Sequence, residues 1–161
     1  PCGAAMTGHL VFTTIHTNDA LSSIDRLLDI GVEPYLIAGG VRGIISQRLV
    51  RKLCPRCKQA YTPSQEELEL LGLPQGDYQF YRGTGCSECF HTGYRGRTGV
   101  FEILTMTPDM RHAIHQKDRK AMEEAVRRST FRPILEDCAH LVAEGITTTE
   151  EIVKVIGGQV K

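Results

Sequence analysis

The sequence predicts an α/β protein interrupted by a four-cysteine insertion and closed by a run of amphipathic helices. Three features lead there. A short β-branched run, Leu10-Val-Phe-Thr-Thr-Ile15, is followed at once by residues with helical periodicity. Cysteines 54, 57, 86 and 89 form two Cys-x-x-Cys pairs in a stretch where periodicity fades. After about residue 107, apolar residues recur at three- and four-residue intervals almost to the end.

Taken in order, Leu10–Ile15 has the composition of a strand covered on both faces. It ends in the polar switch His16-Thr17-Asn18-Asp19, where Asn18 or Asp19 can cap a helix carrying Leu21, Ile24, Leu27 and Leu28 on one side. Gly31 stops that helix. Pro34 opens another, for which Val41, Ile44, Ile45, Leu49 and Leu53 supply one apolar side, although Gly39, Gly40 and Gly43 weaken it. Within the cysteine region, Ser64-x-x-Glu67 is a capping box for a short helix, and Tyr78–Tyr81 reads as a short strand. Thr98–Leu104 returns to a strand pattern. Thr107-Pro108 then starts a helical tail with apolar positions at Met110 and Ile114, Ala121–Val126, Ile134–Val142 and Ile152–Ile156. Thr148-x-x-Glu151 caps the last helix and Gly157-Gly158 ends it.

Composition sets outer bounds. The 161 residues are 41% apolar and 24% charged, with a formal net charge of zero, so no global field points to nucleic acid or an anionic membrane. No run approaches the roughly 20 apolar residues of a transmembrane helix. Pro1-Cys2-Gly3 does not begin a signal peptide. Paired cysteines without a secretory signal fit a reducing, cytoplasmic setting. A strand pattern this close to the first residue reads as a portion of a longer chain.

Cys54-Pro-Arg-Cys57 and Cys86-Ser-Glu-Cys89 lie 28 residues apart. Each pair offers two thiolates one tight turn apart, and together they make the tetrahedral all-sulfur shell of a closed structural zinc site. Four thiolates around one Zn²⁺ leave two negative charges, which Arg56 and Lys58 stand beside. A redox pair, free thiols and an iron–sulfur cluster are the alternatives. Cys2 and Cys138 lack partners at ligand spacing, and His91 is surplus to a complete shell.

A polar cluster at the end of a buried parallel strand is where open α/β sheets place ligands. Thr13, Thr14, His16 and Thr17 suit phosphate or a polarised water. The stretch Thr7-Gly-His-Leu-Val-Phe-Thr-Thr-Ile-His-Thr-Asn-Asp-Ala20 resembles the histidine box of the type II secretion and type IV pilus assembly ATPases. The resemblance continues through Arg26–Pro34, Gln47–Cys57, Gly85–Cys89, Gly93–Glu102 and Gly145–Glu151, and only Pro1-Cys2-Gly3 departs from it.

That resemblance implies a partial RecA-like motor lobe, the C-terminal part of the motor domain of a hexameric ATPase. The motor would use ATP and Mg²⁺ to drive pseudopilus or pilus assembly at the cytoplasmic face of the inner membrane. Its platform proteins would be partners, membrane association would be peripheral, and no nucleic acid is expected. The resemblance places residues 1–53 in the ATPase core, 54–95 in a zinc-binding insertion, and 96–161 in a return strand and C-terminal helical bundle. It assigns His16 to sensing of the γ-phosphate or a neighbouring subunit, with Thr14 and Thr17 in support, and Arg97 to nucleotide contact. No Gly-x-x-x-x-Gly-Lys-[Ser/Thr] loop occurs, so the chain alone is expected to be inactive. The four cysteines favour assembly over retraction. A competing expectation is a zinc-dependent module binding nucleic acid or protein through the basic run Arg48, Arg51, Lys52, Arg56 and Lys58.

Overall fold

A computed structural model describes residues 1–157. In chain order the elements are helices α1 (Cys2–Met6), α2 (Ala20–Asp29) and α3 (Pro34–Gly40), strands β1 (Gly43–Leu53) and β2 (Lys58–Tyr61), helix α4 (Gln65–Leu70), and strand β3 (Phe80–Gly83). A 3₁₀ turn (Ser87–Cys89), strand β4 (Tyr94–Thr105) and helices α5 (Pro108–His115), α6 (Arg119–Arg128), α7 (Ile134–Ala143) and α8 (Thr149–Gly157) complete them. Among the described residues, β1 pairs with β4 and β2 pairs with β3. The chain divides into two compact units, residues 1–46 with 102–132, and residues 47–101 with 133 onward. The boundaries 1–53, 54–95 and 96–161 follow motifs, and the compact units divide the chain differently.

The first unit gathers α2, α3, α5 and α6 around Ile24, Ile37, Leu104, Met110, Ile114 and Met122. Of the two cap candidates, Asn18 and Asp19, it is Asp19 that starts α2, its carboxylate accepting the Ser22 N–H at 2.8 Å. Gly31, one residue beyond the helix cap, takes the left-handed φ of +86° that ends it. Thr107 and Asp118 cap α5 and α6. Guanidinium groups tie the helices further, Arg119 to Asp25 and Arg111 to the Ala38 carbonyl.

Two expectations fail here. Leu10–Ile15 is not a strand, and Leu10 and Phe12 are among the most exposed large apolar side chains. A strand buried on both faces needs neighbours to hydrogen-bond, and no described residue pairs with this run. The helix expected from Pro34 through Leu53 ends at Gly40, and Gly43–Leu53 is a strand. Its partial burial recurs at Ile44, Ser46, Arg48 and Val50, a period of two. The glycines at 39, 40 and 43 and the β-branched Val41, Ile44 and Ile45 favour that outcome.

The second unit packs Val50, Leu68, Phe80, Val100, Val142 and Ile152 together. The Ser64–Glu67 capping box forms as read, opening α4. Strand β3 begins two residues later than expected, β4 is longer at both ends than Thr98–Leu104, and β2 is an additional strand. Of the helices expected in a C-terminal bundle, α5 and α6 fall in the first unit and α7 and α8 in the second. The Thr148 hydroxyl accepts the Glu151 N–H at 3.3 Å, capping α8. Gly158, read as part of that helix's stop, lies outside the described residues.

Candidate functional site

Strand pairing closes the gap between the two cysteine pairs. Strand β2 leaves the first pair and β3 leads into the second, and they align antiparallel with Lys58 opposite Gly83 and Tyr61 opposite Phe80. The Thr84 N–H then reaches the Cys57 carbonyl at 3.1 Å, and the Cys54 N–H reaches the Gly93 carbonyl at 2.9 Å. The first turn closes through Lys58 N–H to the Cys54 carbonyl (3.1 Å), the second through His91 N–H to the Cys86 carbonyl (2.8 Å). Phe90 and His91 adopt left-handed φ values of 51° and 60° to make the second turn. Here glycine is a steric requirement. A Cβ on Gly83 would lie 2.3 Å from the Gly93 carbonyl oxygen, and one on Gly85 2.8 Å from that of His91.

The four sulfurs converge. All lie within 4.8 Å of one another, and Cys54, Cys57 and Cys89 are buried. Sγ separations are 3.9 Å for Cys54–Cys86, 3.8 Å for Cys57–Cys89 and 3.8 Å for Cys86–Cys89. Zinc–thiolate bonds of about 2.3 Å in a regular tetrahedron place the sulfurs about 3.8 Å apart, so the set fits one tetrahedral cation. None of the four is in a disulfide, and a polynuclear cluster would hold them farther apart.

The sulfur environment is asymmetric. Burial pushes the Cys57 thiol up to about 11. Burial also opposes ionisation of Cys89, but the N–H groups of Cys86 (3.3 Å) and Gly93 (3.2 Å) donate to its sulfur. Together with neighbouring thiols they bring it down to about 6. Cys138 is buried and raised to about 11, first by burial and then by Asp137 beside it. It takes no part in the cluster.

The remaining sequence-read residues fall elsewhere. His16 and Thr14 are exposed on the segment before α2. The Thr17 hydroxyl donates to that of Ser23 at 2.6 Å, so it braces the turn. Arg97 is exposed on β4. The basic run does not present a row of uncommitted cations: Arg51 pairs with Glu151, and Lys58 donates to the Gly145 carbonyl and lies over Tyr81.

Two buried acidic residues have partners far along the chain, a role that no local pattern assigns. Glu102 is buried and accepts the Ala20 N–H at 2.7 Å. Glu151 is buried and accepts from both the backbone and the guanidinium of Arg51. Glu102 sits in the quoted run Gly93–Glu102 and stands alone between apolar neighbours in a strand, the one local signal that could have found it.

An α/β chain whose four clustered sulfurs could hold one cation defines the class of the molecule, and its fold has a solved counterpart. The structure described as the pilus retraction motor PilT with bound ADP matches over 96% of this chain and 34% of that one, with a TM-score of 0.61 and 22% identity, a likeness of fold. The family model described as "Type II/IV secretion system protein" matches residues 2–154, and the chain belongs to that family. It is 42% identical over 154 residues to the type II secretion system ATPase E of Vibrio cholerae, covering 94% of this chain and 30% of that protein. It is 43% identical over 153 residues to the type IV pilus assembly ATPase PilB of Thermus thermophilus, covering 92% of this chain and 17% of that one. The chain thus spans less than a third of these relatives' length.

Proposed function

We propose that this chain is a portion of an ATP-hydrolysing motor for type II secretion or type IV pilus assembly. The observation that carries the proposal is the family match, which covers residues 2–154, a span that includes His16 and both cysteine pairs, beside relatives named as ATPases. The motor acts as a hexamer at the cytoplasmic face of the inner membrane, through platform proteins. Among the described residues no helix is long and apolar enough to cross a membrane.

Cys54, Cys57, Cys86 and Cys89 hold one Zn²⁺, whose contribution is structural because four thiolates leave no open coordination position. ATP and Mg²⁺ are bound chiefly by residues outside these 161. His16 responds to the γ-phosphate or to a neighbouring subunit, with Thr14 beside it and Arg97 contacting nucleotide. Thr17 supports His16 through its bond to Ser23. The zinc insertion favours assembly over retraction.

In the full-length motor, His16→Ala is expected to lower turnover about tenfold or more while ATP affinity stays within about threefold. Steady-state phosphate release and nucleotide titration check this. Unchanged turnover, or a loss tracking a lower melting temperature, overturns the role of His16. The 161-residue chain alone should release no phosphate from ATP above buffer, because it contains no phosphate-cradling loop. Sustained turnover by that chain would refute the assignment of domains.

A further inference from the structure

We infer that Glu102 is a positioning residue that sets the turn carrying His16 and Thr17, an inference that rests on the motor reading for its functional consequence. The first N–H groups of a helix have no partner within it. At the start of α2 two of them are met by carboxylates, Ser22 N–H by Asp19 (2.8 Å) and Ala20 N–H by Glu102 (2.7 Å). The second of these reaches 82 residues along the chain, and both Ala20 and Glu102 are buried. A carboxylate bond to a helix N-terminus is charge-assisted and gains from the helix dipole.

Asp19 grips from the other side. Its second carboxylate oxygen accepts the Ser22 hydroxyl at 2.6 Å, and its carbonyl accepts the Ser23 hydroxyl at 3.2 Å. Ser23 in turn holds Thr17. The turn Thr17–Ala20 is therefore clamped between α2 and Glu102 of β4, and His16 extends from its first residue into solvent. Two carboxylates at one helix N-terminus also disfavour a phosphate there. Nucleotide contact then falls to the segment before the helix, where His16 and Thr14 are exposed.

The test uses the full-length motor with Glu102→Ala, Glu102→Gln, His16→Ala and the Glu102→Ala/His16→Ala double variant, and reads turnover and amide exchange. Glu102→Ala is expected to speed exchange over residues 14–22 and cut turnover about tenfold with the KM for ATP within about threefold. Glu102→Gln keeps an acceptor oxygen and should stay within about threefold of the parent in both. The double variant should be no more than about twofold slower than His16→Ala, since both act through one element. Unchanged exchange over 14–22 overturns the inference, as does faster exchange spread equally over α5 and α6, or a glutamine variant as damaged as alanine. Multiplying losses in the double variant also overturn it. Should His16→Ala alone leave turnover intact, the role of His16 falls, and the exchange pattern still decides whether Glu102 orders the turn.

Discussion

Replacing Cys54 or Cys86 with serine is expected to remove stoichiometric zinc and open the two cysteine turns, while α2 and its core neighbours stay folded. Structural zinc sites in small peptides contribute apparent binding energies of about 10–16 kcal/mol at neutral pH, which is folding free energy for whatever the metal holds. Here a bound metal would hold a defined part. Among the described residues, the cluster of Cys54, Cys57, Cys86 and Cys89 packs as its own small group, apart from the apolar core of the second unit. Leu68, Leu71 and Phe80 belong to that apolar core, so α4 and β3 keep independent support. The expected pattern is graded: amide exchange rises steeply over 54–57 and 84–93, less over α4, and little over 20–29. Elemental analysis should show about one zinc per parent chain and far less in either variant. Full zinc occupancy in Cys54→Ser would refute the four-thiolate site. Exchange rising equally through α2 would show that the metal supports both units.

What was legible in the sequence was what depends on near neighbours. The capping residues Asp19, Ser64, Thr107 and Thr148 each bond a backbone N–H three residues on, so a four-residue window contains the whole interaction. The cysteine pairs announce themselves in the same way, each closing its own turn. What was lost depends on distant partners. Val41, Ile44, Ile45, Leu49 and Leu53 happen to satisfy a helical spacing, and only pairing with β4, some fifty residues on, selects the period-two alternative. Leu10–Ile15 has the composition of a strand and finds no partner strand among the described residues, the same reason in reverse. The roles of Glu102 and Glu151 rest on bonds spanning 82 and 100 residues, which no local pattern encodes. The four clustered cysteines were thus readable as a set, while the braces of the Thr17–Ala20 turn depend on partners far along the chain.

Glu151 should prove the acidic residue with the largest effect on the stability of the second unit. Its carboxylate accepts the Arg51 N–H at 2.9 Å and two guanidinium bonds at 3.0 and 2.8 Å, with Lys154 at 2.8 Å. Arg51 in turn lies 4.0 Å above the Tyr94 ring, and its carbonyl accepts the Thr147 hydroxyl, so one residue joins α8 to β1 and β4. Burial opposes the charge on Glu151, but these donors outweigh it and hold its carboxyl down to about 2 from an ordinary 4.5. The folded state therefore favours the ionised form. The contribution is present above the unfolded value near 4.5 and is lost as pH falls from there through about 2. Its full size is on the order of 3 kcal/mol. Because Arg51 is 42% exposed and solvent screens its charge, about 2 kcal/mol is the figure to expect from Glu151→Gln at neutral pH. Denaturant titrations of parent and Glu151→Gln should differ by that amount at pH 7, and the gap should close between about pH 5 and pH 2. Protonation of the four cysteines, were they to hold zinc, would weaken both proteins alike and cancel in the difference. A gap independent of pH would mean that glutamine harms packing alone and that the Arg51 pairing contributes nothing, because a neutral amide and a protonated carboxyl would then be equally poor partners for Arg51.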